Sequence, residues 1–369
     1  MPDVMVVAGE ASGDMHAAGL AEALRRRRPD LHLVGVGGER MERAGVALVE
    51  RSDRLAVMGF VEVLRSVPRH HALLQELRRR LRGGAVSVLV TVDYPGFNMR
   101  LAASARDAGV PVLYYITPQV WAWGASRLPR LAQLITKAAV ILPFEEALLR
   151  SHGIDATFVG HPLLDRAVAL PAREAARAEL GLARDALVLA LFPGSRPQEI
   201  ERHLEPFVAT AERLRRRYPG LEVVVSVAPG VTISAARCPW RQVSMSSLML
   251  LRAADAALCK SGTTTLEAAV AGCPLVVGYR TSRWTHAVAR RLVRIPHIGL
   301  VNVVAGRQVA PEFVQDALAP EAMADALSPL LGGGAEREQM LAGLDAVRAR
   351  LGAPGAATRV AEMVSALAS

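Results

Sequence analysis

Short runs of valine, leucine and isoleucine alternate along this chain with longer amphipathic stretches, and no other feature constrains the fold as much. A parallel strand buried on both faces reads as an unbroken apolar run, and successive parallel strands need a crossover helix between them. The expected class is therefore α/β. Residues 4–8, 31–36, 86–92, 112–116 and 139–142 mark the strands of a first series, with arginine-studded helices between them. A second series follows Pro171, with strands at 187–192, 221–225, 254–258 and 275–277 and helices at 199–217 and 263–271. Between the two series stand His161-Pro162 and Leu170-Pro171, where each proline disfavours a helical predecessor, so the domain junction is placed in 160–171. The last stretch, 321–367, reads as helix broken at Gly332-Gly333-Gly334 and again at 352–355. Two doubly wound domains of similar size would bind ligands at the carboxyl ends of their strands, so chemistry is expected in the loops that follow strands.

Composition narrows the function classes. Of 369 residues 51% are hydrophobic, enough for a large core and too many for a disordered chain. The best apolar run, 85–92, stops at Asp93, far short of the roughly 18 to 20 residues that span a bilayer. Lys and Arg number 44 against 35 Asp and Glu, a net charge of +9, and Lys137 and Lys260 are the only lysines. An anionic partner is expected, with nucleic acid, a membrane surface and a phosphorylated substrate all open at this stage. Cys238, Cys259 and Cys273 form no C-x-x-C pair, which argues against a disulfide framework or a cysteine zinc site. With no basic n-region or cleavage site near Met1, the chain reads as cytoplasmic.

Five loops carry the residue types that chemistry needs. The first strand runs into Gly9-Glu10-Ala11-Ser12-Gly13-Asp14, where Ser12 or Asp14 could cap the helix that follows and its amides could favour an anion. It is not a G-x-G-x-x-G dinucleotide turn. Gly35-Val36-Gly37-Gly38 is similar but reads as structural. The third strand ends at Asp93, a carboxylate at the carboxyl edge of a buried strand, which suits either a general base or a helix cap. After the fourth, Trp121 and Trp123 are two of only four tryptophans, and on pattern alone packing explains them better than recognition.

In the second series, Pro193-Gly194-Ser195-Arg196 sets an arginine beside backbone amides, a good phosphate clamp. The strongest signal is Lys260-Ser261-Gly262-Thr263-Thr264-Thr265-Leu266-Glu267: hydroxyls, a glycine and helix-terminal amides make an anion cradle, with Glu267 one turn inside, where it could accept hydrogen bonds from a ribose. The order of a P-loop is absent, which favours sugar-nucleotide chemistry over phosphoryl transfer. A Ser/Thr capping box would explain the hydroxyls but not the whole set.

Taken together the ordered motifs resemble those of the lipid-A-disaccharide synthases. The resemblance runs over nearly the whole chain: the 9–14 loop, Met58-Gly59-Phe60-Val61-Glu62-Val63-Leu64, Asp93 with Pro95 and Phe97-Asn98, Val120-Trp121-Ala122-Trp123, Leu142-Pro143-Phe144-Glu145, Val159-Gly160-His161-Pro162, Pro193-Gly194-Ser195-Arg196, Ser261-Gly262-Thr263 with Leu266-Glu267, Val276-Val277-Gly278-Tyr279-Arg280, and Asn302 with Ala305-Gly306-Arg307. It implies a GT-B architecture with Rossmann-like domains at 1–168 and 169–345 and a C-terminal helix, 346–369, packing back on the first. It also implies inverting transfer of 2,3-diacylglucosamine from UDP to the 6-hydroxyl of 2,3-diacylglucosamine 1-phosphate (lipid X), with no metal or cofactor. On this resemblance Asp93 is the catalytic base. Gly194, Ser195, Arg196, Ser261, Gly262, Thr263, Thr264 and Asn302 hold the UDP diphosphate, Glu267 holds its ribose, and Glu10, Ser12, Gly13, Gln119, Trp121 and His161 line the sugar and acceptor side. The chain departs from the family pattern at Val301, where proline is usual, at Gly124, where arginine is common, and in 230–243, which is short.

Acylated substrates imply contact with the cytoplasmic face of an inner membrane. Residues 58–82, opening on Met58 and closing on Arg82, are the expected docking surface, with Val67, Leu74, Leu77 and Leu81 beside Arg65, Arg69, Arg78, Arg79 and Arg80. The plain alternative is a core helix with a solvated basic face. A homodimer is left open by the sequence. Two other functions remain to be weighed: a different GT-B enzyme acting on UDP-N-acetylglucosamine, such as a 2-epimerase, and a nucleic-acid-binding protein suggested by the arginine runs 25–28 and 215–217. The latter lacks any nucleic-acid module, so no nucleic acid is expected as partner.

Overall fold

The structure is a computed structural model that describes residues 3–54, 60–122, 124–228, 230–282 and 296–368. Met58, Gly59 and Trp123 lie outside the described residues. In chain order the strands are β1 (Asp3–Ala8), β2 (His32–Gly37), β3 (Ala47–Arg51), β4 (Val86–Val92), β5 (Val112–Tyr115), β6 (Lys137–Val140), β7 (Ala156–Phe158), β8 (Leu187–Phe192), β9 (Leu221–Ser226), β10 (Arg241–Val243), β11 (Ala256–Lys260), β12 (Leu275–Tyr279) and β13 (Glu312–Val314). The helices are α1 (Ala11–Arg27), α2 (Glu39–Arg43), α3 (Phe60–Arg82), α4 (Pro95–Asp107), α5 (Leu128–Leu134), α6 (Pro143–Arg150), α7 (Leu163–Ala167), α8 (Arg173–Glu179), α9 (Pro197–Arg217), α10 (Ser247–Ala253), α11 (Thr264–Ala271), α12 (Leu300–Ala305), α13 (Pro320–Leu331), α14 (Ala335–Arg350) and α15 (Ala356–Leu367).

Two compact units divide the chain, one of residues Met1–Pro162 with Ala353–Ser369 and the other of Leu163–Gly352. Among the described residues each contains one parallel sheet, ordered β3-β2-β1-β4-β5-β6-β7 in the first and β10-β9-β8-β11-β12-β13 in the second. The apolar run of β1 shows why the strands read as they do. Val4, Val6 and Ala8 join a core with α1 and α15, while Met5 and Val7 join the opposite core with α3 and α4. Period-two alternation thus sends side chains into two separate dry layers, and every position must be apolar. The last helix, α15, is held in the first unit by Val360, Ala361 and Val364 and by Arg359, whose Nε donates to the Val159 carbonyl at 2.9 Å.

Each strand expected from the apolar runs is present, with β6 and β11 displaced by two residues from the ranges expected. Four strands, β3, β7, β10 and β13, were not expected, and each is a sheet edge. The described part of α3 also corrects the docking surface. Leu74, Leu77 and Leu81 are buried in the core with Met5, Leu89 and Leu101, so they are not available to a membrane. Arg79 and Arg80 pair with Glu76 on the same helix, and Arg78 donates to Ser104 Oγ at 2.8 Å. No helix among the described residues is long and apolar enough to cross a membrane.

Candidate active site

In a doubly wound sheet, ligands collect where neighbouring strands send their crossovers to opposite faces. That point falls between β1 and β4 in the first unit and between β8 and β11 in the second. The loops after these strands are the four that carry Glu10, Asp93, Arg196 and Ser261.

At the β1/β4 point, Gly9 lets the Tyr94 ring lie on the backbone, since a Cβ there would fall 2.3 Å from Tyr94 Cδ1. Asp93 and Tyr94 both have left-handed backbone, φ 47° and 52°. Non-glycine residues hold this conformation only where surrounding contacts impose it, and such strain gathers at functional sites. The contacts are visible: the Asp93 carbonyl accepts from Asn98 Nδ2 at 2.7 Å and from the Tyr114 hydroxyl at 2.8 Å. Asn98 is fully buried, and its amide also lies 3.4 Å from the carbonyls of Val7 and Val92, at the ends of β1 and β4. Burial, and then the negative charge of Glu10, raise the Asp93 carboxyl above the usual carboxylate range, against a hydrogen bond from the Tyr94 backbone. A half-buried carboxylate raised in this way is a stronger proton acceptor than an ordinary aspartate. Glu10 and Ser12 are exposed beside it and Gly13 is buried.

Asp14 departs from expectation. Helix α1 begins at Ala11, so Ser12 and Asp14 lie inside its first turn, and the Asp14 carboxylate instead accepts from the amides of Gly38, Arg40 and Met41. It caps α2, a neighbour in space, and ties the glycine turn after β2 to the β1 loop. Trp121 is half-buried, donating through Nε1 to Glu145 Oε1 at 3.0 Å and meeting Phe144 edge to face. Glu145 Oε2 accepts from the Leu142 amide, and burial pushes this carboxyl up to about 7. Gln119 is exposed and His161 buried.

The β8/β11 point has the opposite electrostatics. Gly194 is at φ 140°, where a Cβ would fall 2.4 Å from that of Glu199, so the turn folds tightly onto α9. Glu199 Oε2 accepts from the amides of Ser195 and Arg196 at 3.0 and 3.4 Å, and Oε1 accepts from Lys260 Nζ at 3.0 Å. Burial opposes its ionisation, but Lys260 and the two amides win and hold Glu199 below the usual range. The α9 terminus is thus capped from within, while the Arg196 side chain is exposed and the first turn of α11 carries the helix-terminal amides that suit an anion. Ser261 Oγ donates to the Ile298 carbonyl at 2.7 Å; Gly262, Thr263 and Thr264 lead into α11. Glu267 is 7% exposed and accepts from Arg166 at 3.1 Å and Ser247 at 2.6 Å.

Asn302 lies on α12 and is bonded within its own unit. Its Nδ2 donates to Ala310 O and Glu312 Oε1, and its Oδ1 accepts from the amides of Val309 and Ala310. Both hydrogens and both lone pairs are used within the second unit and the residue is fully buried, so its side chain fixes β13. Sequence reasoning gave no role to Asn98, Tyr114, Lys260 or Arg166. Asn98 and Lys260 were visible as parts of motifs, without the partners they meet; Tyr114 and Arg166 meet theirs only through long-range contacts.

Parallel sheets with charged loops at both switch points define a GT-B type enzyme, and comparison of folds agrees. The S. aureus MnaA–UDP co-structure superposes with a TM-score of 0.67 at 12% identity, over 99% of this chain and 96% of that one. The calicheamicin glycosyltransferase CalG4 does so with 0.63 at 18%, over 100% and 98%. The lipid-A-disaccharide synthetase family profile matches residues 4–353, and the lipid-A-disaccharide synthase of Anaeromyxobacter sp. (strain K) is 43% identical over 98% of this chain and 96% of its own length. The chain belongs to the lipid-A-disaccharide synthase family. Its activity is that glycosyl transfer, in lipid A biosynthesis, and the family implies UDP-diacylglucosamine and lipid X as substrates.

Proposed function

We propose that the first unit deprotonates the acceptor and the second holds the donor's UDP. In this reading Asp93 takes the proton of the acceptor 6-hydroxyl as its oxygen bonds to the anomeric carbon. The bond from that carbon to the diphosphate oxygen breaks, and UDP leaves with the electron pair. Attack opposite the leaving group inverts the anomeric centre, through a transition state with oxocarbenium character like that of glycoside hydrolysis. The observation that carries the assignment is the left-handed Asp93 backbone, fixed by Asn98 and Tyr114 at the switch point, with its carboxyl raised by burial and by Glu10.

The departing diphosphate meets the Arg196 side chain and the amides of Ser261, Gly262, Thr263 and Thr264, preorganised donors for the growing charge, while Gly194 and Ser195, folded onto Glu199, shape the turn that carries Arg196. Glu267 receives the ribose, which requires its bonds to Arg166 and Ser247 to be shared or exchanged. Glu10, Ser12, Gly13, Gln119, Trp121 and His161 surround the acceptor sugar. The protein works at the cytoplasmic face of the inner membrane, attracted through exposed arginines such as Arg82 rather than anchored by leucines. The decisive experiment is Asp93→Asn with UDP-2,3-diacylglucosamine and lipid X. Turnover should fall roughly 10²- to 10⁴-fold, the usual contribution of a general base, while calorimetric UDP binding persists. Normal turnover in that variant would remove Asp93 from the mechanism.

A further inference from the structure

A cavity of about 220 Å³ opens in the first unit between the start of α4, the segment after β5 and the start of α5. Its wall begins at Pro95, two residues after Asp93, and no acidic residue lines it. Arg100, Arg127 and Arg130 are its only charged lining groups, and Met99, Val120 and Leu131 form its apolar side. All three arginines are exposed at its rim. The ion pairs described in this unit engage other arginines, among them Arg27, Arg28, Arg43, Arg51, Arg79, Arg80, Arg106 and Arg150, and none involves Arg100 or Arg130.

We infer that this cavity receives the phosphate of the acceptor, and so decides that the acceptor is a sugar 1-phosphate. The inference rests on the reading that the first unit takes the acceptor. A phosphate monoester carries close to two negative charges and three acceptor oxygens, and guanidinium forks match that geometry where lysine would not. The volume is below the range of pockets that enclose whole drug-sized ligands, so it suits a phosphorylated head group and not a diacylated sugar. The apolar wall of Met99, Val120 and Leu131 meets the acyl side of the same molecule. The wall shares its first residues with the loop that presents Asp93, so one ligand can offer its phosphate to the arginines and a hydroxyl of the same ring to the carboxylate. In the same reading the donor diphosphate has its own cation in the second unit, Arg196, so the two anionic groups of the reaction do not compete for these arginines.

The test compares two acceptors, lipid X and the same 2,3-diacylglucosamine without its phosphate, in the native protein and in Arg100→Gln/Arg127→Gln/Arg130→Gln. The quantity read is the ratio of kcat/KM for the two acceptors. The native protein should favour lipid X, and the ratio should fall roughly 10- to 100-fold in the variant, as expected for losing charge-assisted hydrogen bonds to one phosphate. An unchanged ratio overturns the inference, including one reached by equal losses on both acceptors, and so does a native protein indifferent to the phosphate. Loss of binding to phosphatidylglycerol vesicles with the ratio intact would assign the arginines to the membrane instead. Should the native protein make no disaccharide, the reading beneath the inference fails while the cavity is still judged by calorimetry with a short-chain 2,3-diacylglucosamine 1-phosphate. Weaker binding to the triple variant supports the cavity, and equal binding overturns it.

Discussion

The two switch points are built alike and charged oppositely. Between β1 and β4, two acidic residues lie close enough for Glu10 to raise Asp93, and burial adds to the effect. Between β8 and β11, each carboxylate is met by a cation: Glu199 by Lys260 and Glu267 by Arg166. One topology thus yields a place suited to taking up a proton and a place suited to holding an anion. The strand order decides where chemistry happens, and the sign of the neighbouring charge decides which chemistry it is.

Breaking this contrast should have graded consequences, the largest being the loss of turnover in Asp93→Asn. Next comes Arg196→Ala, expected to weaken UDP binding roughly tenfold or more in calorimetry, as for removal of a charge-assisted phosphate contact; equal affinity would shift the diphosphate site to α11 alone. Asn98→Ala frees the Asp93 carbonyl from its 2.7 Å donor. Its kcat should fall by about tenfold with KM for the donor little changed, because the carboxylate is misplaced and the nucleotide site is not.

Glu10→Gln should act on the pH profile more than on the rate. An aspartate base must be ionised, so kcat/KM falls as pH drops through its pKa. Removing the neighbouring negative charge lowers that pKa, and the acidic limb should move to lower pH. A limb that stays in place would show that burial alone sets it. The smallest effect is expected at Glu145, whose carboxyl is raised to about 7. A raised folded-state pKa contributes stability that is complete below the unfolded value of about 4.3 and is lost as pH rises through about 7. Glu145→Gln lacks this titration, so the native protein should lose thermal stability relative to the variant as pH rises from 5 to 8.

The interior strands were legible because burial on both faces demands apolar residues at every position. The edge strands were not. Ala47–Arg51 ends in Glu50 and Arg51, Arg241–Val243 opens on Arg241 and Gln242, and Glu312–Val314 opens on Glu312. An edge strand pairs on one side and is partly exposed, so hydrogen bonding to its neighbour, and not its composition, makes it a strand. The same limit explains α3, where helical spacing of leucines beside arginines fits a membrane surface or a core equally well, and packing against Met5 and Leu101 decided for the core.

By itself, the sequence determined the parallel α/β class, the strands of both sheet interiors and the loops on which the candidate groups sit, because these follow from local periodicity and from residue type beside a strand end. Only the tertiary structure decided what each candidate group meets. Arg166 reaches Glu267 across 101 positions of chain and Lys260 reaches Glu199 across 61, while Asn302 turns inward and Asp14 caps a helix that is not its own. A carboxylate's proton affinity and an amide's free valence depend on neighbours within a few ångströms, and those neighbours are chosen by the packing of distant segments.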